Sequence, residues 1–413
     1  MTTYQKYRSL MNALSYSFQG VDLSHVSATK IWSMAKGERV FGLKQFARFF
    51  IALDASKLQL PENNGFLATF MENYRKDHYD LFNTVVNGLS NKPTVTNLFD
   101  VKRRVAFHPI LAAKITITVY RKLLKENISL VDKLRWAAEY MYLVNNIKEL
   151  DKIDFSKVKK YLCMCHVLSL ENLLTQYLKT KGIVTYSLQE GIYFIFKKNI
   201  VLGSIAYELF VTDHLLCWGQ YTKDEYKKYG IDPSKITVSG YPKCKVLAPL
   251  KNNNVYKTCL VMLAGPIIGN ANTNLLMMLE SLKDEFDITL KSHPANYLSM
   301  EKYAQEHNFS IIDKTQTVGE CLESGRYDFC IAVNTTAYYE SWMVGVPCVR
   351  YYDERFDNFY GFDDFFSDEE QFKTMINGYR ICPKNENEIK EMLKYAIGFG
   401  LDNYDKVING NLL

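Results

Sequence analysis

The chain has 413 residues, of which 47% are hydrophobic and 23% charged, with 50 Lys/Arg against 45 Asp/Glu for a formal net charge of +5. That length suggests two or three domains, and the composition excludes a disordered chain, a collagen-like repeat or a disulfide scaffold. Nine cysteines without a CxxC pair read as reduced thiols in a cytoplasmic setting. The opening MTTYQKYRSL lacks the apolar core of a signal peptide. The longest apolar stretch, residues 200–218, contains Glu208, Asp213 and His214, so no membrane-spanning helix is expected. Residues 1–250 hold 35 Lys/Arg and 21 Asp/Glu (+14), whereas residues 251–413 hold 15 and 24 (−9). A basic half suits an anionic partner. Zinc-finger spacing, an RNP aromatic motif and a basic heptad helix are all missing, so a nucleic acid is not the expected one.

Residues 1–60 read as a helical, basic extension, with Leu43, Phe46, Phe49, Phe50 and Leu53 at helical spacing. The cluster Pro61-Glu-Asn-Asn-Gly65 is a turn, followed by an apolar run over 66–71, a polar loop through Arg75, Lys76 and His78, and a second candidate strand over 93–98. Residues 109–149 read as mostly helix. From 161 the chain alternates: strands at 161–168, 184–188, 215–218 and 236–238, with helices at 171–180 and 221–229. The polar Lys251-Asn-Asn-Asn254 reads as a linker. A second alternation follows, with strands at 258–263, 288–290, 328–333 and 346–351 and helices at 273–285 and 337–344. Strands alternating with helices of this length predict parallel sheets. The fold class expected is therefore α/β, two doubly wound Rossmann-like domains facing a cleft. The expected division is 1–60 extension, 61–245 first domain, 255–385 second domain, and 386–413 a C-terminal helix returning to the first.

In such sheets ligands bind beyond the carboxyl ends of the strands, and the polar motifs lie there. His293, in Ile-Thr-Leu-Lys291-Ser-His-Pro294, follows a strand, and Pro294 biases it away from helix. An imidazole in that position can donate to a phosphate or protonate a leaving oxygen; the plainer reading is a surface histidine before a turn. Asn334-Thr335-Thr336 sits between a strand and a helix, where N-capping and anion binding use the same residues. Glu340, one turn further, could accept from ribose hydroxyls. Gly265 and Gly269 flank a loop after a strand and could let backbone approach a phosphate, although the pattern is neither GxGxxG nor a P-loop. Glu190, between Gln189 and Gly191 at a strand end, is a candidate general base, with His78 as the competing one. Asp363-Asp364 reads as a solvated turn, and no DxD follows a strand. No metal is expected.

Ser187-Leu-Gln-Glu-Gly191, Trp218-Gly219, Ser239-Gly-Tyr-Pro242, Lys291-Ser-His-Pro294 and Asn334-Thr-Thr336 through Pro347 occur in that order. Over residues 160–350 the chain resembles bacterial GT-B glycosyltransferases of the His-Pro group. These are sialyltransferases and polysialyltransferases, with capsule Kdo transferases and teichoic-acid glycerophosphotransferases as relatives. The resemblance implies an inverting, metal-independent transfer of a sugar from a nucleotide donor, CMP-sialic acid or a similar CMP-sugar, to a cell-surface glycan such as capsule or lipooligosaccharide. Glu190 is implied as the base. His293, Lys291, Pro294, Asn334, Thr335 and Thr336 are implied around the donor phosphate, with Arg75, Lys76 and Gln189 on the acceptor side. The group usually has two acidic residues where this chain has Gln189 and Glu190, and serines where it has Asn-Thr-Thr. The alternatives are a CDP-glycerol glycerophosphotransferase and a nucleotide-sugar epimerase. With clusters Lys102-Arg103-Arg104 and Lys157 with Lys159-Lys160, the basic half suits a glycan or lipid-linked acceptor. A cytoplasmic protein, peripheral at the anionic inner face of the cell membrane, is then expected.

Overall fold

The computed structural model describes residues 1–71, 76–198, 200–243, 247–250, 256–381, 384–400 and 402–410. The stretch 251–254 read as a linker and Arg75 lie outside the described residues. The described residues form two compact units. The first draws on 1–73, 89–190 and 202–216, the second on 74–88, 191–201 and 217–413.

The first sheet comprises β1 (Phe66–Phe70), β2 (Thr94–Asn97), β3 (Lys160–Cys163), β4 (Val184–Leu188), β5 (His214–Cys217) and β6 (Ile236–Val238). Its order is β6-β5-β4-β3-β1-β2. The pairs from β5 to β2 are parallel, with Leu67 opposite Thr94 and Tyr161, and Ser187 opposite Cys163 and Leu215. All five residues of β1 are buried, as a strand covered on both faces requires. The order turns back between β1 and β3, which makes that pair of strand ends the switch point of this sheet.

Two readings of the N-terminal part need correction. The apolar run 161–168 is strand only to Cys163: beyond it Met164 N–H divides between Thr69 O of β1 (3.3 Å) and the Glu171 carboxylate (3.0 Å), and Cys165 N–H turns to that carboxylate alone (3.0 Å). Within 1–60, helices Thr3–Leu14 and Ala28–Lys36 form, but the stretch read at helical spacing is a 3₁₀ helix over Leu43–Phe50 that runs into a strand, Ile51–Leu53, paired antiparallel with Arg103–Val105. This extension is stitched into the first unit by the helix Leu130–Leu150. Tyr140 Oη donates to Leu14 O (2.7 Å), and the buried Glu139 accepts from Gln45 Nε2 (2.9 Å) and pairs with Lys30 and Arg48.

The second sheet comprises β7 (Thr258–Met262), β8 (Asp287–Lys291), β9 (Ser310–Ile311), β10 (Phe329–Ala332), β11 (Cys348–Tyr351) and β12 (Phe365–Phe366). Its order, β9-β8-β7-β10-β11-β12, is parallel throughout. The switch point falls between β7 and β10. The fold is thus α/β with two six-stranded parallel sheets, GT-B-like in plan.

Helix Glu386–Ala396 lies against helix Gln220–Tyr229, with Tyr395 Oη donating to Asp224 (2.9 Å). Glycines permit this approach. A Cβ on Gly219 would stand 2.4 Å from the Ala396 carbonyl, and one on Gly240, at φ +89°, 2.4 Å from Gly400 O. Two motifs behind the family resemblance, Trp218-Gly219 and Ser239-Gly-Tyr-Pro242, therefore use their glycines to seat backbone on backbone. Among the described residues no helix is long and apolar enough to cross a membrane.

Candidate functional site

The second sheet gathers most of the donor-side candidates at one edge. β8, β7 and β10 are neighbours, so their carboxyl ends deliver Lys291 to His293, Leu263 to Gly265, and Val333 to Thr336 side by side. The ends stay in register: Leu263 N–H donates to Lys291 O (2.9 Å) and Val333 N–H to Met262 O (3.0 Å).

His293 is extended (φ −62°, ψ 137°) and half-buried, and its Nδ1 accepts from Ala295 N–H at 3.2 Å. That bond makes Nε2 the protonated nitrogen of the neutral ring, hence a donor. Exposed Pro294 begins the 3₁₀ turn Pro294–Asn296 that supplies this N–H. A Cβ on Gly265 would sit 3.6 Å from three ring atoms, so the imidazole lies face-on to a residue with no side chain to cover it. The loop carrying Gly265 is held by buried Asn272, whose Oδ1 accepts from Ala264 N–H (3.0 Å) and whose Nδ2 donates to Ala264 O (2.9 Å). Gly269 opens the helix that carries Asn272. Lys291 is 5% exposed and donates to Asp313 O (3.1 Å), and burial holds its ammonium below the usual lysine range.

Asn334 takes a left-handed backbone (φ +44°), which asparagine tolerates better than most residues. Its Nδ2 donates to Asp357 O (3.1 Å), while its buried Oδ1 has no hydrogen-bond partner among the described residues. Asp357 in turn accepts from Lys197 N–H (2.6 Å) and Lys198 N–H (2.8 Å), which ties the loop after residue 191 to Asn334. Thr335 and Thr336 are half-buried and lead into the helix Ala337–Met343; Thr335 Oγ1 accepts from Ala337 N–H at 3.4 Å. Glu340, expected near a ribose, accepts a hydrogen bond from Tyr241 Oη (2.5 Å).

Glu190 belongs to the first unit. It lies two residues past β4, half-buried, with Oε1 accepting from Cys165 Sγ at 3.8 Å. Gln189 beside it is fully buried, and its N–H donates to Leu216 O. Next to Glu190 at this edge stands a polar group that sequence reasoning missed. His166 is fully buried, with Nδ1 3.0 Å from Ser187 Oγ and Nε2 3.0 Å from Ala206 O, and burial lowers its pKa to about 4. Glu171, equally buried, accepts from Thr69 Oγ1 (3.0 Å) as well as from the amides after β3.

Lys76 and His78 sit on the helix Lys76–Gly88, which packs with the second unit although it connects β1 to β2. Lys76 Nζ donates to Glu320 (3.1 Å), and His78 is buried. Asp363 is exposed, but Asp364 is not the solvated residue its setting suggests. It is 1% exposed, accepts from Arg350 Nε (2.6 Å) and from Tyr338 Oη, and burial lifts its carboxyl to about 6 against the opposing pull of Arg350. Arg350 also donates to Phe359 O and Phe362 O, so it fixes the loop after β11. Among the described residues no group of three or more His, Cys, Asp or Glu side chains gathers as a metal would need.

The fold and this edge define a GT-B-like, two-domain α/β protein. No family model matches the chain, and neither does any curated protein sequence. Solved structures resemble it weakly. A lipopolysaccharide outer core galactosyltransferase, WaaB, in its apo form is 14% identical over 84% of this chain and all of its own, with a TM-score of 0.48. A UDP-GlcNAc 2-epimerase from Methanocaldococcus jannaschii, complexed with UDP-GlcNAc and UDP, is 11% identical over 84% of this chain and 99% of its own, with a TM-score of 0.47. The S. aureus MnaA–UDP structure is 10% identical over 84% and 95%, also at 0.47. Likenesses of this size carry no weight in the functional reading.

Proposed function

We propose that the chain is a nucleotide-sugar-dependent glycosyltransferase whose second unit binds the donor. The observation that carries this reading is the convergence of Gly265, His293 and Asn334–Thr336 on adjacent strand ends at the switch point of a parallel sheet. Nε2–H of His293 would donate to the departing phosphate, and the Thr335 and Thr336 hydroxyls would share its charge as the glycosidic bond to phosphate breaks. The unpartnered Oδ1 of Asn334 suits a ligand hydroxyl or amine. Glu190 would take the proton of the acceptor hydroxyl, giving inversion at the anomeric carbon. On this reading the acceptor is a cell-surface glycan, the donor a CMP-sugar, and no metal takes part.

A thermal-shift panel of CMP, CDP, UDP and GDP tests the donor half. A ligand at 100 times its Kd should stabilise the protein by about 2.7 kcal/mol. CMP should give the largest shift, and His293→Ala should reduce it. A shift for UDP alone would replace the CMP-sugar, and no shift for any nucleotide would remove the donor site. Turnover of a nucleotide-sugar with no acceptor present would favour an epimerase.

A further inference from the structure

Large apolar side chains are exposed unevenly over the molecule. Many of the most exposed lie between residues 99 and 131 of the first unit, including Ile110 at 84% and Val105 at 80%. We infer that the face formed by the strand Arg103–Val105 and the helix Pro109–Lys122 docks on an anionic lipid bilayer.

The helix has two apolar sides. Ala112, Ile115 and Val119 are buried against the unit, as a surface helix requires. Ile110 and Ile117 stand on the opposite side, Leu124 follows in the turn after the helix, and each is more than half exposed. Among the described residues this second stripe stays exposed. Lys114 and Arg121, seven apart, run beside it, and exposed Phe107 meets Phe50 in a tilted ring contact (4.9 Å between ring centres) at the helix entrance. From 101 to 125 the chain carries seven Lys/Arg and no Asp/Glu. One of these cations, Arg104, is paired with Glu149 at 3.2 Å.

The chemistry selects the occupant. Aliphatic side chains flanked by cations match the acyl–headgroup boundary of an anionic membrane, where an in-plane helix buries its apolar side while Lys and Arg meet the headgroups. A second copy of the chain, meeting this face through a two-fold axis, would set Lys114 and Arg121 against the same cations of its mate, while Glu149 is already paired with Arg104. A nucleic acid would leave the aliphatic stripe without a partner. The inference does not depend on the donor reading, since it concerns neither Glu190 nor the residues around His293.

Sedimentation of the full chain with vesicles tests it. Binding to vesicles of one-third phosphatidylglycerol in phosphatidylcholine should exceed binding to pure phosphatidylcholine. It should also fall as salt rises from 0.1 to 1 M, where the screening length drops from about 10 Å to about 3 Å. The double variant Ile110→Ser with Ile117→Ser should bind at least about tenfold less, and Lys114→Gln with Arg121→Gln should bind less and with a weaker salt dependence. Leu298→Ser, an exposed leucine of the second unit, should bind as wild type. Circular dichroism and melting of each variant report whether it is folded. Equal binding to neutral and anionic vesicles, or undiminished binding by the isoleucine variant, overturns the inference. So does a vesicle-free dimer that this variant abolishes, which would make the face a self-association surface.

Discussion

The two sheets reach their carboxyl edges with similar topology and fill them differently. In the first, the strand that flanks the switch point, β3, runs into amides already claimed: the Glu171 carboxylate takes those of Met164 and Cys165, and Ser187 Oγ takes that of His166. An internal anion thus occupies the position where a bound phosphate would otherwise collect backbone donors, and an incoming phosphate would meet like charge. In the second sheet, the neutral Asn272 amide holds the corresponding loop through Ala264 alone. Gly265, half-buried His293 and the threonines stand at this edge, where Asp313, Glu320 and Asp77 act on neighbouring Lys291. A buried carboxylate plugs the first strand end; a neutral amide holds the second, which on the proposed reading is open to an anion.

The sharpest way to break this comparison is at the open end. His293→Ala should lower turnover by about 10²–10⁴ with the fold intact, measured under single-turnover conditions. Glu190→Gln should match that loss while leaving the nucleotide thermal shift in place. An active Glu190→Gln protein with an inactive His78→Ala protein would move the base to His78.

The plugged end is tested by acid. His166 stays neutral in the fold down to about pH 4, whereas the unfolded chain protonates it near 6.5. Between those values the unfolded state binds more protons, so stability is complete above about pH 6.5 and is lost as pH falls towards 4. At 1.36 kcal/mol per unit the loss reaches about 3 kcal/mol. Urea unfolding at pH 7.5 and 4.5 should show this slope in wild type and a shallower one in His166→Gln. Equal slopes would mean that another group carries the acid sensitivity.

Glu171→Gln keeps the shape of the plug and removes its charge. It should cost about 1.5–3 kcal/mol, the worth of hydrogen bonds to a charged acceptor. If the plug is what excludes anions, this variant should also gain weak affinity for inorganic phosphate. Gly219→Ala should cost about 1–3 kcal/mol by overpacking against Ala396 backbone. A neutral result in chemical denaturation would show that the 386–396 helix yields easily.

Much of this edge was legible in the sequence because its signals are local. A β-rich run that stops at His293-Pro294, or at Asn334 before two threonines, announces a strand end by turn chemistry alone. What escaped is satisfied over distance. Glu171 and Asn272 lie in ordinary helical sequence, and nothing nearby says that their side chains fold back onto preceding strand ends. Asp364 sits among phenylalanines beside Asp363, and only Arg350, fourteen residues earlier, explains why one of the two is buried. The overlong strand at 161–168 has the same origin. Its apolar run continues into a buried turn, so hydrophobicity persists after the extended backbone has ended.

The glycine-lined seam also has a meaning in time. Gly219 and Gly240 receive backbone made about 180 and 160 residues later. At a synthesis rate of roughly 5–20 residues per second, that places some 10–35 s between the appearance of the two sides. For that interval the Trp218 region must wait on the ribosome with its contact surface uncovered, while the sheet that begins at β7 can already assemble. The second unit thus carries a built-in delay. Slowing elongation over residues 256–396 should lengthen its exposure to chaperones, whereas a chain refolded from denaturant would have both sides of the seam from the start.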